Sequence, residues 1–122
     1  MNAATEFDLG PLTWVKGEID LALARATEAL GQHELSGEAT QLRFCRTHVH
    51  QVHGALSIVG LDGVTQVTES LEALLSALEE RRLQLTAEIV ATLTQAMAAL
   101  GKYLDDLVAG ELEEPGAEVY PR

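Results

Sequence analysis

The stretch Leu42-Arg43-Phe44-Cys45-Arg46-Thr47-His48-Val49-His50-Gln51-Val52-His53-Gly54-Ala55-Leu56-Ser57-Ile58-Val59 decides the fold class. Its apolar residues Leu42, Cys45, Val49, Val52, Leu56 and Val59 recur every three or four positions. At 100° per residue they gather into one stripe, the signature of an amphipathic helix and not of a strand. Working outward, the same period returns three more times. Leu12, Val15, Ile19, Ala22, Leu23, Ala26 and Leu30 form one stripe, with Pro11 suited to a first helical turn and Gly31 to an end. Val64, Val67, Leu71, Leu74, Leu75 and Leu78 form another, opened by Asp62 as an N-cap. The last carries Ile89, Val90, Leu93, Met97, Leu100, Leu104 and Leu107 behind a Thr86 cap.

Proline is confined to Pro11, Pro115 and Pro121, so the long interior lacks the residue that punctuates turn-rich β proteins. The reading is all-α: helices near 11–31, 36–59, 62–81 and 86–108, joined by short connections that make successive helices antiparallel in an up-and-down four-helix bundle. At 122 residues the chain holds one domain, and with 4% aromatics its core must be built from Leu, Ala, Val and Ile. The expected organisation is a flexible N-terminus over 1–10, the bundle over 11–108 and an acidic linker or tail over 109–122.

Eight Lys and Arg against nineteen Asp and Glu leave a net charge of −11, which repels a nucleic-acid backbone or an anionic leaflet. A single cysteine, Cys45, forms no internal disulfide, and its place in the second stripe makes it a small core residue. No apolar run is long enough to span a membrane, no secretory leader is recognisable, and the chain reads as cytoplasmic. No Gly-rich phosphate loop or nucleotide fingerprint occurs, so neither ATP binding nor another cofactor is expected.

The chemistry lies on the polar face of the second helix. With His50 at 0°, Arg43, Arg46, Thr47, His53, Gly54 and Ser57 fall within about 60° of it. The His50 imidazole is therefore expected in solvent, whereas His48, about 160° away, is expected on the core side and substantially more buried. Three histidines in those directions do not converge on a metal ion, and no metal site is expected. A neutral imidazole is a nucleophile at one nitrogen when the other holds a proton donated to an acceptor. Glu72 can be that acceptor if the second and third helices form a hairpin about Gly60; otherwise it is a surface carboxylate. Arg43 and Arg46 either offset phosphoryl charge at His50 or simply pair with the surplus carboxylates. Gly54 costs about 1 kcal/mol against Ala inside a helix. Two roles could repay it: close approach of a neighbouring helix, or clearance for a bulky partner beside His50. His33 falls near a helix end, where its charge complements the dipole. Trp14, beside the first stripe, is read as a packing residue.

His50, His53, Gly54, Gly60 and Leu61, followed by Leu71, Glu72, Leu74 and Leu75, resemble histidine-phosphotransfer (HPt) domains, whose pattern is His-x-x-Lys-Gly, a hydrophobic turn and a helix with a Leu-Glu pair. The resemblance spans about residues 11–108. It implies a four-helix bundle in a two-component phosphorelay, with His50 as phosphoacceptor, Glu72 orienting the imidazole, and Gly54 giving clearance to a docking histidine kinase core or response-regulator receiver domain. Trp14-Val15-Lys16-Gly17-Glu18-Ile19, Arg43-Phe44-Cys45 and Val49 to Leu56 are similar to the N-terminal HPt-like domain of a chemotaxis-like hybrid kinase of type IV pilus twitching motility. They are similar also to the separate pilus regulator homologous to that domain, which implies a pilus-regulatory partner. The chain departs from the pattern at His53, which stands where the family has lysine. Histidine is a weaker and pH-dependent cation, so the resemblance also allows a degenerate, non-phosphorylated docking domain that binds a pilus-regulatory or polar-localisation partner.

Overall fold

The computed structural model describes residues 10–112, and side chains through 110. These residues form four helices and no strand: α1 (Gly10–Ser36), α2 (Ala39–Val59), α3 (Asp62–Glu79) and α4 (Ala87–Leu112). The architecture is the antiparallel four-helix bundle expected. α2 packs against both α1 and α3, and α4 closes on α1. The core is aliphatic, with Leu12, Ile19, Leu30, Leu56, Leu75, Leu93 and Leu104 among its fully buried side chains. Lys16 ties α1 to α4, reaching Asp20 at 2.7 Å and also Asp105. Burial of the ammonium lowers its pKa, but the bonds to Asp105 and Asp20 outweigh this and hold it above the ordinary lysine value.

The connection that positions the site is the one between α2 and α3. Gly60 adopts φ 91°, a left-handed conformation that glycine enters without the Cβ penalty. Its N–H bonds the Ser57 carbonyl, and the Leu61 N–H bonds the Leu56 carbonyl, which together make a Schellman turn. Leu61 is buried beside the end of α2, and α3 starts at the next residue, so the chain folds straight back along α2.

Several boundaries differ from those read in the sequence. α1 continues through Gly31 to Ser36 and stops at Gly37, whose φ is 74° and whose N–H bonds the His33 carbonyl. A glycine can end a helix only where the chain turns left-handed, and Gly31 remains helical. α2 consequently begins at Ala39, not 36. Asp62 is not a cap: Leu61 holds that place without a side-chain bond, and Asp62 lies in the first turn, where its charge suits the dipole. Thr86 does cap α4, its hydroxyl accepting the Ile89 N–H at 3.2 Å. α4 runs on to Leu112, past the expected tail boundary at 109. The rest of the expected N-terminal segment and acidic tail, 1–9 and 113–122, lies outside the described residues.

Two apolar side chains depart from their expected places. Trp14 is 88% exposed and does not pack, because it sits about 130° around the wheel from the stripe led by Leu12 and Ile19. Val67 is exposed too, and the fully buried α3 residue next to it is Thr68.

Candidate functional site

Along the seam between α2 and α3 runs a ladder of polar contacts. Arg43, Arg46, His50 and His53 form its α2 side; Glu79, Glu72 and Thr68 form its α3 side. The antiparallel hairpin sets the order, since residues progressively earlier in α2 meet residues progressively later in α3.

His50 Nδ1 lies 2.8 Å from Glu72 Oε1. A carboxylate only accepts, so Nδ1 carries the proton and donates it, which leaves the Nε2 lone pair as the free nucleophilic position. The His50 side chain is 69% exposed and that of Glu72 21%, so the acceptor is held in the seam while the imidazole stands in solvent. Both the expected exposure of His50 and the expected closeness of Glu72 are met.

His53 is placed differently from a residue beside His50 in solvent. Its side chain is 20% exposed, and its Nδ1 lies 3.0 Å from the buried Thr68 Oγ1. The Thr68 hydroxyl proton is already donated to the Thr65 carbonyl at 2.6 Å, so the oxygen accepts and His53 Nδ1 donates. Glu72 Oε2 is 3.9 Å from the same nitrogen, and the two imidazole rings lie nearly parallel at 17° with centroids 5.9 Å apart. Sequence reasoning missed Thr68, a polar residue at a core position of the α3 stripe.

The wheel explains both imidazoles. The buried α2 residues Leu42, Cys45, Val49, Val52 and Leu56 average about 120° from His50, on the His53 side, and not directly opposite. His53 is then about 60° from the stripe centre and half covered by α3. His48 is about 80° off on the other flank, so it does not reach the core. It is half-buried near α1, more covered than His50, with Nδ1 3.0 Å from Gln51 Oε1.

Arg46 Nε donates to Glu79 Oε1 at 2.8 Å and Arg43 Nε to Glu79 Oε2 at 3.1 Å. Ion pairing is thus part of what both arginines do. The bond to Glu79 holds the Arg46 guanidinium above its ordinary pKa, and the bonds from Arg46 and then Arg43 hold the Glu79 carboxyl below the usual carboxylate range. Glu79 is the second residue that sequence reasoning missed, because charged residues are too common on this chain for one to stand out.

Gly54 lies on α2 one turn beyond His50, and a Cβ built there meets nothing within 4 Å. Close helix approach therefore does not account for it, and the surface beside His50 is open. Ser57 is exposed on the same face. Cys45 is fully buried, and burial pushes its thiol pKa up to about 12. At the far end of α1, His33 Nδ1 donates to the Glu38 carbonyl at 2.7 Å.

The model of the Hpt domain family matches residues 12–103. The chain belongs to the Hpt family. No curated protein and no solved structure matches it. Hpt domains serve histidine phosphotransfer in two-component signalling, exchanging phosphoryl groups with kinases and receiver domains, and the four-helix bundle of this Hpt domain accords with that membership. No helix among the described residues is long and apolar enough to cross a membrane.

Proposed function

We propose that His50 is the phosphoacceptor of this Hpt domain and that Glu72 orients its imidazole. The observation that carries the reading is the His50 Nδ1–H to Glu72 Oε1 bond on an otherwise exposed ring. In the forward step the Nε2 lone pair attacks the phosphorus of a phosphodonor, either ATP held by a kinase core or the acyl phosphate of a receiver aspartate. The N–P bond forms as the donor P–O bond breaks, and the leaving oxygen keeps the electron pair as ADP or as carboxylate. The imidazole then carries substituents on both nitrogens and a positive charge, which the Glu72 carboxylate faces through the Nδ1 proton. Reversal hands the group to the next receiver. Glycine at position 54 leaves room for the partner's active site over Nε2, and Arg43, Arg46 and Ser57 border the docking face.

The biological setting we propose is a chemotaxis-like system controlling type IV pilus twitching motility, with a pilus-regulatory partner and a cytoplasmic location. The resemblance in Trp14 to Ile19, Arg43 to Cys45 and Val49 to Leu56 supports it. A second reading, a docking domain that is never phosphorylated, is favoured by His53. Its bond to the neutral Thr68 hydroxyl supplies no permanent cation where the family has lysine.

Incubation with a cognate kinase core and labelled ATP, scored for acid-labile, base-stable label, separates the two. The phosphotransfer reading expects label on the native chain and none on His50→Gln. A folded native chain left unlabelled by a kinase core that labels another domain of its system refutes that reading and leaves docking.

A further inference from the structure

α3 has two flanks. One carries Thr68, Glu72 and Glu79 and forms the seam with α2. On the other, α4 packs against α1 and stands off from α3, so a cleft of about 440 Å3 opens between α3 and α4. Gly63, Val64 and Val67 line it from α3, and Ala99, Leu100 and Tyr103 from α4. Val67 and Tyr103 are about half exposed, and no lining residue is charged on a chain with a net charge of −11. Contiguous apolar ground open to water is the mark of an interaction surface.

The position, length and composition of the chain after α4 point to the occupant. Because Gly63 and Tyr103 line the same cleft, α4 is already level with the start of α3 at residue 103, and it runs on past that point to Leu112. Leu112 lies nine residues beyond Tyr103, about 14 Å along the axis. Ten residues follow, Glu113 to Arg122. Extended chain covers about 3.3 Å per residue, so the eight residues from Leu112 to Tyr120 span up to about 26 Å, enough to turn and return to the cleft. Glu114-Pro115-Gly116-Ala117 suits the reversal, with proline and glycine at the two central positions of a type II turn. After it come Val119 and Tyr120, the two large apolar side chains of the segment. Neighbouring side chains of an extended segment point to opposite sides, so in a groove one meets each wall.

We propose that the chain reverses at Pro115-Gly116 and lays Val119 and Tyr120 into the cleft between α3 and α4, with Glu118 outside it beside the exposed Lys102. The occupant then comes from the same chain, at the high effective concentration that a short tether gives. Gly63 and Val67 stand about 180° and 140° from Glu72 around α3, so the docked segment leaves the His50 seam uncovered. The inference does not depend on whether His50 is phosphorylated.

The test places one tryptophan in that segment of the full chain. Trp14 is the one native tryptophan and is exposed, so Trp14→Phe removes its emission without disturbing the core. In that background Tyr120→Trp is expected to emit well to the blue of the same protein in urea and to be shielded from acrylamide quenching. Both effects should survive dilution by about a hundredfold, as an intramolecular contact does. Both should vanish on adding Ala99→Glu or Val67→Glu, each of which puts a charge at an exposed position of one wall, while far-UV circular dichroism checks that the helices are kept. Emission at the urea wavelength overturns the inference, as does a blue emission that neither charge alters. A blue emission lost on dilution assigns the cleft to a second copy of the chain and overturns it as well.

Discussion

Gly54→Ala should stabilise the isolated domain while impairing its work. Position 54 is inside α2 and has no positive φ, so alanine adopts the native backbone without strain. Glycine at such a place costs about 1 kcal/mol against alanine, mostly through the extra freedom it gives the unfolded chain. A new Cβ meets nothing within 4 Å, so no steric penalty offsets that gain and no burial adds to it. The net effect is a gain of about 0.5–1 kcal/mol, or a rise in Tm of about 2–5 °C for a domain of this size. Urea denaturation followed by far-UV circular dichroism measures the first, and a thermal scan the second. A drop in stability, or none of the expected gain, would refute the argument that the site is empty space. Gly54→Met extends the test to function, because a longer side chain fills the ground over which a partner docks. It should lower the ratio of labelling by a protein donor to labelling by phosphoramidate, and an unchanged ratio would remove the clearance role from Gly54.

Three further outcomes follow from the seam and the core. Glu79 has its folded pKa lowered by Arg46 and Arg43, so its contribution is present above the ordinary glutamate pKa of about 4.3 and is lost as pH falls through the lower folded value. Glu79→Gln should therefore cost about 0.5–1 kcal/mol at pH 7 and little near pH 3, as read by denaturation at the two pH values. His53→Lys puts a permanent cation where the Thr68-bound imidazole now stands, and phosphate labelling of His50 should rise, as read by the label retained per folded molecule. Cys45, buried with its thiol pKa pushed up to about 12, should resist iodoacetamide in the native protein at pH 8 and react once urea unfolds it, which mass spectrometry reads directly.

What could be read in the sequence followed from covalent geometry. A helix repeats every 3.6 residues whatever surrounds it, so the stripe through Leu42, Cys45, Val49, Val52 and Leu56 placed His50 in solvent before any partner helix was known. The same regularity, with a glycine at 60 to reverse the chain, left Glu72 open as a partner of His50 or as a surface carboxylate, and the resemblance to Hpt domains chose the first. Misreadings came where the period was applied too loosely. Trp14 stands well off its stripe and is exposed, and His48 lies on the flank of its own and is only half covered.

Only the tertiary structure decided how the seam is wired. That Glu79 takes both arginines, that Thr68 fixes the His53 ring, and that nothing fills the space beside Gly54 depend on the register and separation of α2 and α3 and on the rotamers chosen across the gap. Periodicity along one helix carries no information about those quantities, since they are settled by packing between helices. The sequence by itself determined four amphipathic helices, an exposed histidine and a carboxylate able to face it; packing between α2 and α3 decided which other side chains would stand around that pair.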